Sequence, residues 1–122
     1  MTKVTSADLL KAARAEINHL SVADAQALQQ ANEAVLVDIR DSKELEAGAI
    51  TGAIHAPRGG LEFALDPASG MGMPALLEAP HLIMVCGSGG RAALATKLAQ
   101  DMGHNASCLD GGFKAWNSQA AS

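Results

Sequence analysis

Cys86 is the side chain with the most chemistry within reach. It ends the apolar run Leu82 to Val85 and opens the segment Cys86-Gly87-Ser88-Gly89-Gly90-Arg91, after which a helix pattern begins. A strand that runs into a glycine-rich turn and then a helix points consecutive backbone N–H groups inward, forming an anion-binding nest. The helix N-terminus adds partial positive charge. Both effects favour a thiolate over a thiol, and Arg91 adds to them if its side chain turns inward. The bland reading is a small core residue that ends a strand. A plain strand-to-helix turn has little use for three glycines in the four positions after the cysteine, so a reactive Cys86 is expected. Cys108 has no such turn after it. It sits among Ala106 and Leu109 in a short strand pattern and is read as core packing.

Two arginines follow strand-like segments and lie where they can approach the mouth of such a site. Arg58, in Pro57-Arg58-Gly59-Gly60, has glycines beside it that permit close approach, and it joins the candidate substrate-binding set. Arg40 is read instead as an ion-pair partner of Asp38, Asp41 or Glu44. The histidines at 19, 55, 81 and 104 show no metal-ligand spacing along the chain, so no metal site is expected. Gly87-Ser88-Gly89-Gly90-Arg91-Ala92, with Asp110 lying 18 residues beyond, imitates a dinucleotide fingerprint. The chain stops soon after Asp110 and has no room for the second half of a dinucleotide-binding fold.

These residues must be carried by something. Thr5 or Ser6 can cap a first helix, with Asp8 favourable in its first turn and Leu9, Leu10, Ala13 and Ile17 on one face. Ser21 and Asp24 suggest a second helix start, lined inside by Val22, Ala25 and Leu28. Val35 to Val37 reads as a buried parallel strand ending at Asp38, followed by a helical turn over 41–47 stopped by Gly48. Ala53-Ile54 reads as a short strand, 61–65 as a helical turn and 66–80 as a surface loop. The stretch 81–85 is the strongest strand. A helix with Leu94, Ala95, Leu98, Ala99 and Met102 inward follows the glycine-rich turn and ends at Gly103. A last strand over 105–109 and a last helix over 113–118 complete an alternating α/β pattern with a mainly parallel sheet.

The totals agree with a small single domain. The chain has 122 residues, 48% hydrophobic and 18% charged, so a real core is affordable without disulfides. Two cysteines cannot make a disulfide framework or a four-cysteine zinc site. A net charge of −4, no basic run and only three aromatic residues speak against nucleic acid. No apolar run is long enough for a membrane span and the N-terminus lacks an apolar signal core, so a cytoplasmic setting with free thiols is expected.

Four segments together resemble the single-domain rhodaneses. Val37-Asp38-Ile39-Arg40 with Glu44 and Gly48 resembles that family's strand and acidic turn. Gly48 to Pro57 is similar to its Gly-His-Ile-Pro-Gly-Ala signature, with Ala49 and Thr51 in place of the usual His and Pro. Cys86 to Arg91 matches the Cys-x-x-Gly-x-Arg active loop, with Ala92 where Ser is common, and Leu109-Asp110-Gly111-Gly112-Phe113-Lys114-Ala115-Trp116 matches the C-terminal Gly-Gly-x-x-x-Trp element. The motifs span about Ser21 to Trp116. Residues 1–18 are then an added N-terminal helix and 19–122 a rhodanese-like domain.

The resemblance implies a three-layer fold with a central sheet of about five strands between helices. It implies a sulfurtransferase in which the Cys86 thiolate takes the outer sulfur of thiosulfate or a persulfide and passes it to cyanide or a thiol. Gly87, Ser88, Gly89, Gly90 and Arg91 would cradle the persulfide, Arg58 would assist at the mouth, and no metal or organic cofactor would be needed. The partners are then a small-molecule donor and acceptor, with no nucleic acid and no membrane. A non-catalytic rhodanese-like sulfur carrier or regulatory binding module is the alternative. A rhodanese-like phosphatase is disfavoured, because its loop resembles Cys-x5-Arg and this loop has four residues between Cys86 and Arg91.

Overall fold

The computed structural model describes residues 2–120. Five parallel strands form one sheet in the order β1-β5-β4-β2-β3, with β1 at Asn18–Leu20, β2 at Val35–Asp38, β3 at Ile54–His55, β4 at Leu82–Val85 and β5 at Ala106–Leu109. The helices are α1 (Ser6–Glu16), α2 (Val22–Gln30), α3 (Ser42–Leu45), α4 (Leu61–Ala64), α5 (Pro74–Leu77), α6 (Gly90–Asp101) and α7 (Gly112–Ala120). Alternation along the strands splits the core in two. Leu82, Met84 and Cys86 face a cluster shared with α1, α4, α5 and α6, whereas Ile83, Val85 and Leu109 face a second one with α2 and α7. The expected three-layer α/β fold is therefore present.

Local chemistry explains the helix starts. Thr5 Oγ1 accepts from the Asp8 N–H at 3.0 Å, and Asp8 Oδ2 accepts from the Thr5 N–H at 3.1 Å. Ser21 Oγ accepts from the Asp24 N–H at 3.1 Å.

One element was missed and two expectations need correction. Asn18–Leu20 is a strand, paired with β5, although it is too short to show a period of two. The supposed surface loop over 66–80 contains α5, and Leu76 is fully buried. Its proline at the first helical position starts a turn rather than breaking one. The last concerns helix faces. Leu94 of α6 and Met102 just after it are 36% and 38% exposed, while Ala92, Ala93, Ala95, Thr96 and Ala99 are buried. This helix lies between the sheet and α1, and close approach on two sides selects small side chains over large ones. Leu9 of α1 is likewise exposed at 55%, while Ala13 and Ile17 pack inward.

The edge strand β1 is fastened by His19. Its Nδ1 lies 2.8 Å from Asp110 Oδ1 and its Nε2 lies 3.0 Å from the Arg14 carbonyl oxygen. Both partners only accept, so the ring is favoured with two protons. Its pKa is raised, first by the Arg14 carbonyl and then by Asp110. A raised folded-state pKa gives stabilisation that is complete below the unfolded value and fades as pH climbs through the folded one. The Tm gap between wild type and His19→Ala is therefore expected to be wider near pH ~6 than near pH ~9. Thermal melts followed by circular dichroism check this, and equal gaps at both pH values would contradict it.

Candidate active site

The parallel sheet brings the C-terminal ends of β2, β3 and β4 to one edge, where ligands of open α/β sheets bind. Cys86 is the first residue past β4 and is 1% exposed. Its Sγ accepts the Gly89 N–H at 3.0 Å and the Ala92 N–H at 3.2 Å. These donors come from the turn and the first turn of α6, whose N–H groups have no helical partner. They place two backbone dipoles on the sulfur, an arrangement that stabilises negative charge there. Gly89 has φ +115°, a conformation that L side chains rarely adopt, so the turn needs glycine at this position.

The loop is held from behind by α7. Phe113 N–H donates to the Cys86 carbonyl at 2.7 Å, and Lys114 N–H donates to the Gly87 carbonyl at 3.1 Å. The Gly111-Gly112 pair, at φ +76° and +60°, lets that helix begin against the loop backbone. The C-terminal segment thus positions the cysteine as well as filling the core, where Phe113 and Trp116 are packed but not wholly buried.

Arg91 does not turn onto the sulfur. Its Nη1 donates to Glu44 Oε1 at 2.7 Å and its Nη2 to Glu44 Oε2 at 2.9 Å. The guanidinium lies over Gly87, where a Cβ would stand 3.3 Å from Nη2. This two-pronged pair holds Glu44 well below the usual carboxylate range, at about 2, and raises Arg91. Ser88 is exposed at the tip, and Gly87 and Gly90 are part-covered.

Arg58 sits in a 3-10 turn just after β3, with Nη1 donating to Glu62 Oε1 at 2.9 Å. Arg40 is 4% exposed and paired with buried Asp38 through Nη2 to Oδ2 at 2.8 Å, as the ion-pair reading expects. It also donates to the Gly48 carbonyl at 3.0 Å, and its guanidinium lies 4.3 Å from the centre of the Phe113 ring. His55 Nε2 lies 2.7 Å from the Arg40 carbonyl. Arg40 therefore ties together β2, β3, the turn after α3 and α7.

The set Gly87 to Arg91 omitted one contributor, Ala92, whose backbone N–H faces the sulfur. The available signal was its place in the first turn of α6, where N–H groups point at the site whatever the side chain.

Cys108 is 2% exposed, with Sγ 3.8 Å from the Gly89 and Leu109 carbonyls. Burial, followed by the nearby Asp110 charge, pushes its thiol up to about 12. Iodoacetamide at about pH 8 is expected to leave native Cys108 unmodified and to label it once the chain is unfolded. Peptide mapping by mass spectrometry reads this directly, and labelling of native Cys108 would refute it. Cys108 also comes within 4.8 Å of His19 and Asp110, measured between ligand-type atoms. Both His19 nitrogens already face protein oxygens, so a metal here would have to displace one of those contacts.

A family model for the rhodanese-like domain matches residues 21–119. The chain belongs to the rhodanese-like family. Among similar proteins, the human thiosulfate:glutathione sulfurtransferase is 33% identical over 104 residues, covering 80% of this chain and 90% of that one. The Pseudomonas entomophila thiosulfate sulfurtransferase GlpE is 36% identical over 105 residues, covering 84% and 87%. The solved human single-domain sulfurtransferase TSTD1 superposes with a TM-score of 0.70 at 30% identity, over 83% of this chain and 96% of that one. A Rhodopseudomonas palustris protein of unknown function, described as a possible tyrosine phosphatase, superposes with a TM-score of 0.91 at 39% identity, over 98% and 94%. The named curated relatives of this rhodanese-like chain are sulfurtransferases. Among its described residues, no helix is long and apolar enough to cross a membrane.

Proposed function

We propose that this chain is a rhodanese-type sulfurtransferase that moves sulfane sulfur from thiosulfate or a persulfide to cyanide or a thiol through a persulfide on Cys86. The observation that carries the reading is the pair of N–H groups, from Gly89 and Ala92, aimed at a cysteine sulfur at the end of a parallel strand. The Cys86 thiolate attacks the outer sulfur of thiosulfate. An Sγ–S bond forms, the donor S–S bond breaks, and sulfite leaves with the electron pair. Cyanide or a thiolate then takes the outer sulfur and returns the Cys86 thiolate, a ping-pong sequence. The remaining loop N–H groups, over Gly87 to Arg91, are then available to the charge on the terminal sulfur. Arg91 and Arg58 act at the mouth rather than on Sγ. No cofactor enters either half-reaction, and a cytoplasmic, reducing setting suits a free thiol.

The test is intact-mass measurement after incubation with thiosulfate or glutathione persulfide, followed by peptide mapping. One added sulfur on the peptide bearing Cys86, removed by cyanide, is expected. Protein that takes up no sulfur from either donor would favour the binding-module alternative.

The likeness to a protein described as a possible tyrosine phosphatase gives a second reading. The four-residue span between Cys86 and Arg91 leaves a small cradle, and Arg91 is turned to Glu44 rather than inward. Turnover of an aryl phosphate would establish that reading, and none is expected.

A further inference from the structure

The arginines around the site, two at the mouth and one buried behind it, are each matched by a carboxylate. Arg91 is paired with Glu44, Arg58 with Glu62 and Arg40 with Asp38. A donor carrying two negative charges therefore meets rim arginines, Arg91 and Arg58, whose attraction is offset by the carboxylates they hold. At the same end of the sheet lies the opposite kind of surface. A cavity of about 230 Å³ is lined by Ala56, Pro57, Gly60, Ala64, Met71 and Met73, with no charged side chain among them.

The lining of this cavity and Cys86 share a sheet end and a core cluster. Residues 56–60 follow β3 and Cys86 follows β4, so both leave the same end of an all-parallel sheet. Ala56, Ala64 and Cys86 share one buried cluster, against which Met73 packs. The wall is preformed. Met73 N–H donates to the Ala64 carbonyl at 3.0 Å, and Ser69 Oγ donates to the Phe63 carbonyl at 2.7 Å. Met71 is 64% exposed and Phe63 52% exposed, which extends the apolar surface outward. The volume suits a single ring or a short chain rather than a nucleotide.

We infer that the site selects sulfane sulfur held on an apolar carrier with at most one negative charge, and that Glu44 sets this preference by holding Arg91. The inference rests on the sulfurtransferase reading and deepens it. The carrier's apolar group occupies the Ala56–Met73 cavity while its outer sulfur reaches Cys86. An organic thiosulfonate reacts as thiosulfate does: the Cys86 thiolate bonds to the outer sulfur, the S–S bond breaks, and a sulfinate leaves with the electron pair.

Three donors separate the two contributions, with cyanide as acceptor and thiocyanate as product. Thiosulfate is a dianion, methanethiosulfonate a small monoanion and benzenethiosulfonate a monoanion with an apolar ring. For the wild type, kcat/KM is expected to rise in that order, by about tenfold overall, from the lost charge and the buried ring. Glu44→Gln frees Arg91 and is expected to raise the thiosulfate-to-benzenethiosulfonate ratio about fivefold. Met71→Ser, at an exposed wall position, is expected to lower the benzenethiosulfonate-to-methanethiosulfonate ratio about threefold. Mass mapping of Cys86 runs alongside. If Cys86 gains sulfur from all three donors but thiosulfate is used as well as benzenethiosulfonate, or neither variant moves its ratio, the selectivity inference alone falls. If no donor loads Cys86, the sulfurtransferase reading falls with it.

Discussion

Cys86→Ser is expected to lower sulfur transfer at least about a thousandfold, because the nucleophile of a covalent mechanism has no substitute among its neighbours. A hydroxyl at this position is a far weaker nucleophile than a thiolate at neutral pH. It can still accept the Gly89 and Ala92 N–H groups, which reach Sγ at 3.0 and 3.2 Å in the wild type. The loop therefore keeps its shape, and the melting temperature should move little. The other thiol cannot take over. Cys108 is buried, its Sγ lies against the Gly89 and Leu109 carbonyls, and burial holds it protonated up to about 12. Thiocyanate production by Cys86→Ser and by Cys108→Ser checks both halves of the claim. Substantial activity in the first variant, or a collapse in the second at unchanged stability, would assign the chemistry to the wrong sulfur.

Much of this arrangement is legible before any coordinates. The run from Leu82 to Val85 is continuously apolar because β4 is buried on both faces, and such a strand announces itself. The glycines after Cys86 are conspicuous because a cradle of N–H groups excludes side chains. The ionic role of Arg40 is legible too, since Asp38 is two residues away and a buried guanidinium needs a carboxylate. What the sequence hides is whatever depends on neighbours distant along the chain. Asn18–Leu20 becomes a strand because β5 lies beside it. Leu94 of α6 is exposed while Ala92, Ala93 and Thr96 are buried with the expected Ala95 and Ala99, because α1 and the sheet crowd the helix from two sides. The Glu44–Arg91 pair spans 47 residues of chain, so nothing local says that the loop arginine is turned aside. Backbone donors are hidden for another reason: the contribution of Ala92 has nothing to do with its methyl group.

Gly112 shows how strictly that backbone geometry is enforced, and Gly112→Ala is expected to cost about 4 kcal/mol of stability together with most of the activity. A Cβ on residue 112 would collide with the Cys86 carbonyl oxygen and would stand 2.8 Å from the Gly87 carbonyl oxygen. Both obstacles are backbone, so no side chain can rotate away. The residue also has φ +60°, which costs an alanine about 1 kcal/mol by itself. Relief requires α7 to move off the loop, which breaks the bonds from Phe113 N–H at 2.7 Å and Lys114 N–H at 3.1 Å. Those bonds satisfy the carbonyls of Cys86 and Gly87, so their loss also loosens the turn that aims the Gly89 N–H at Sγ. Gly103→Ala supplies the comparison. Its φ is +95°, but nothing lies within 4 Å of the added methyl, so it pays backbone strain alone. Urea denaturation of the two variants separates the terms. If they lose equal stability, close approach of α7 contributes nothing. If Gly112→Ala is much the less stable yet transfers sulfur at the wild-type rate when folded, α7 supports the fold without positioning Cys86.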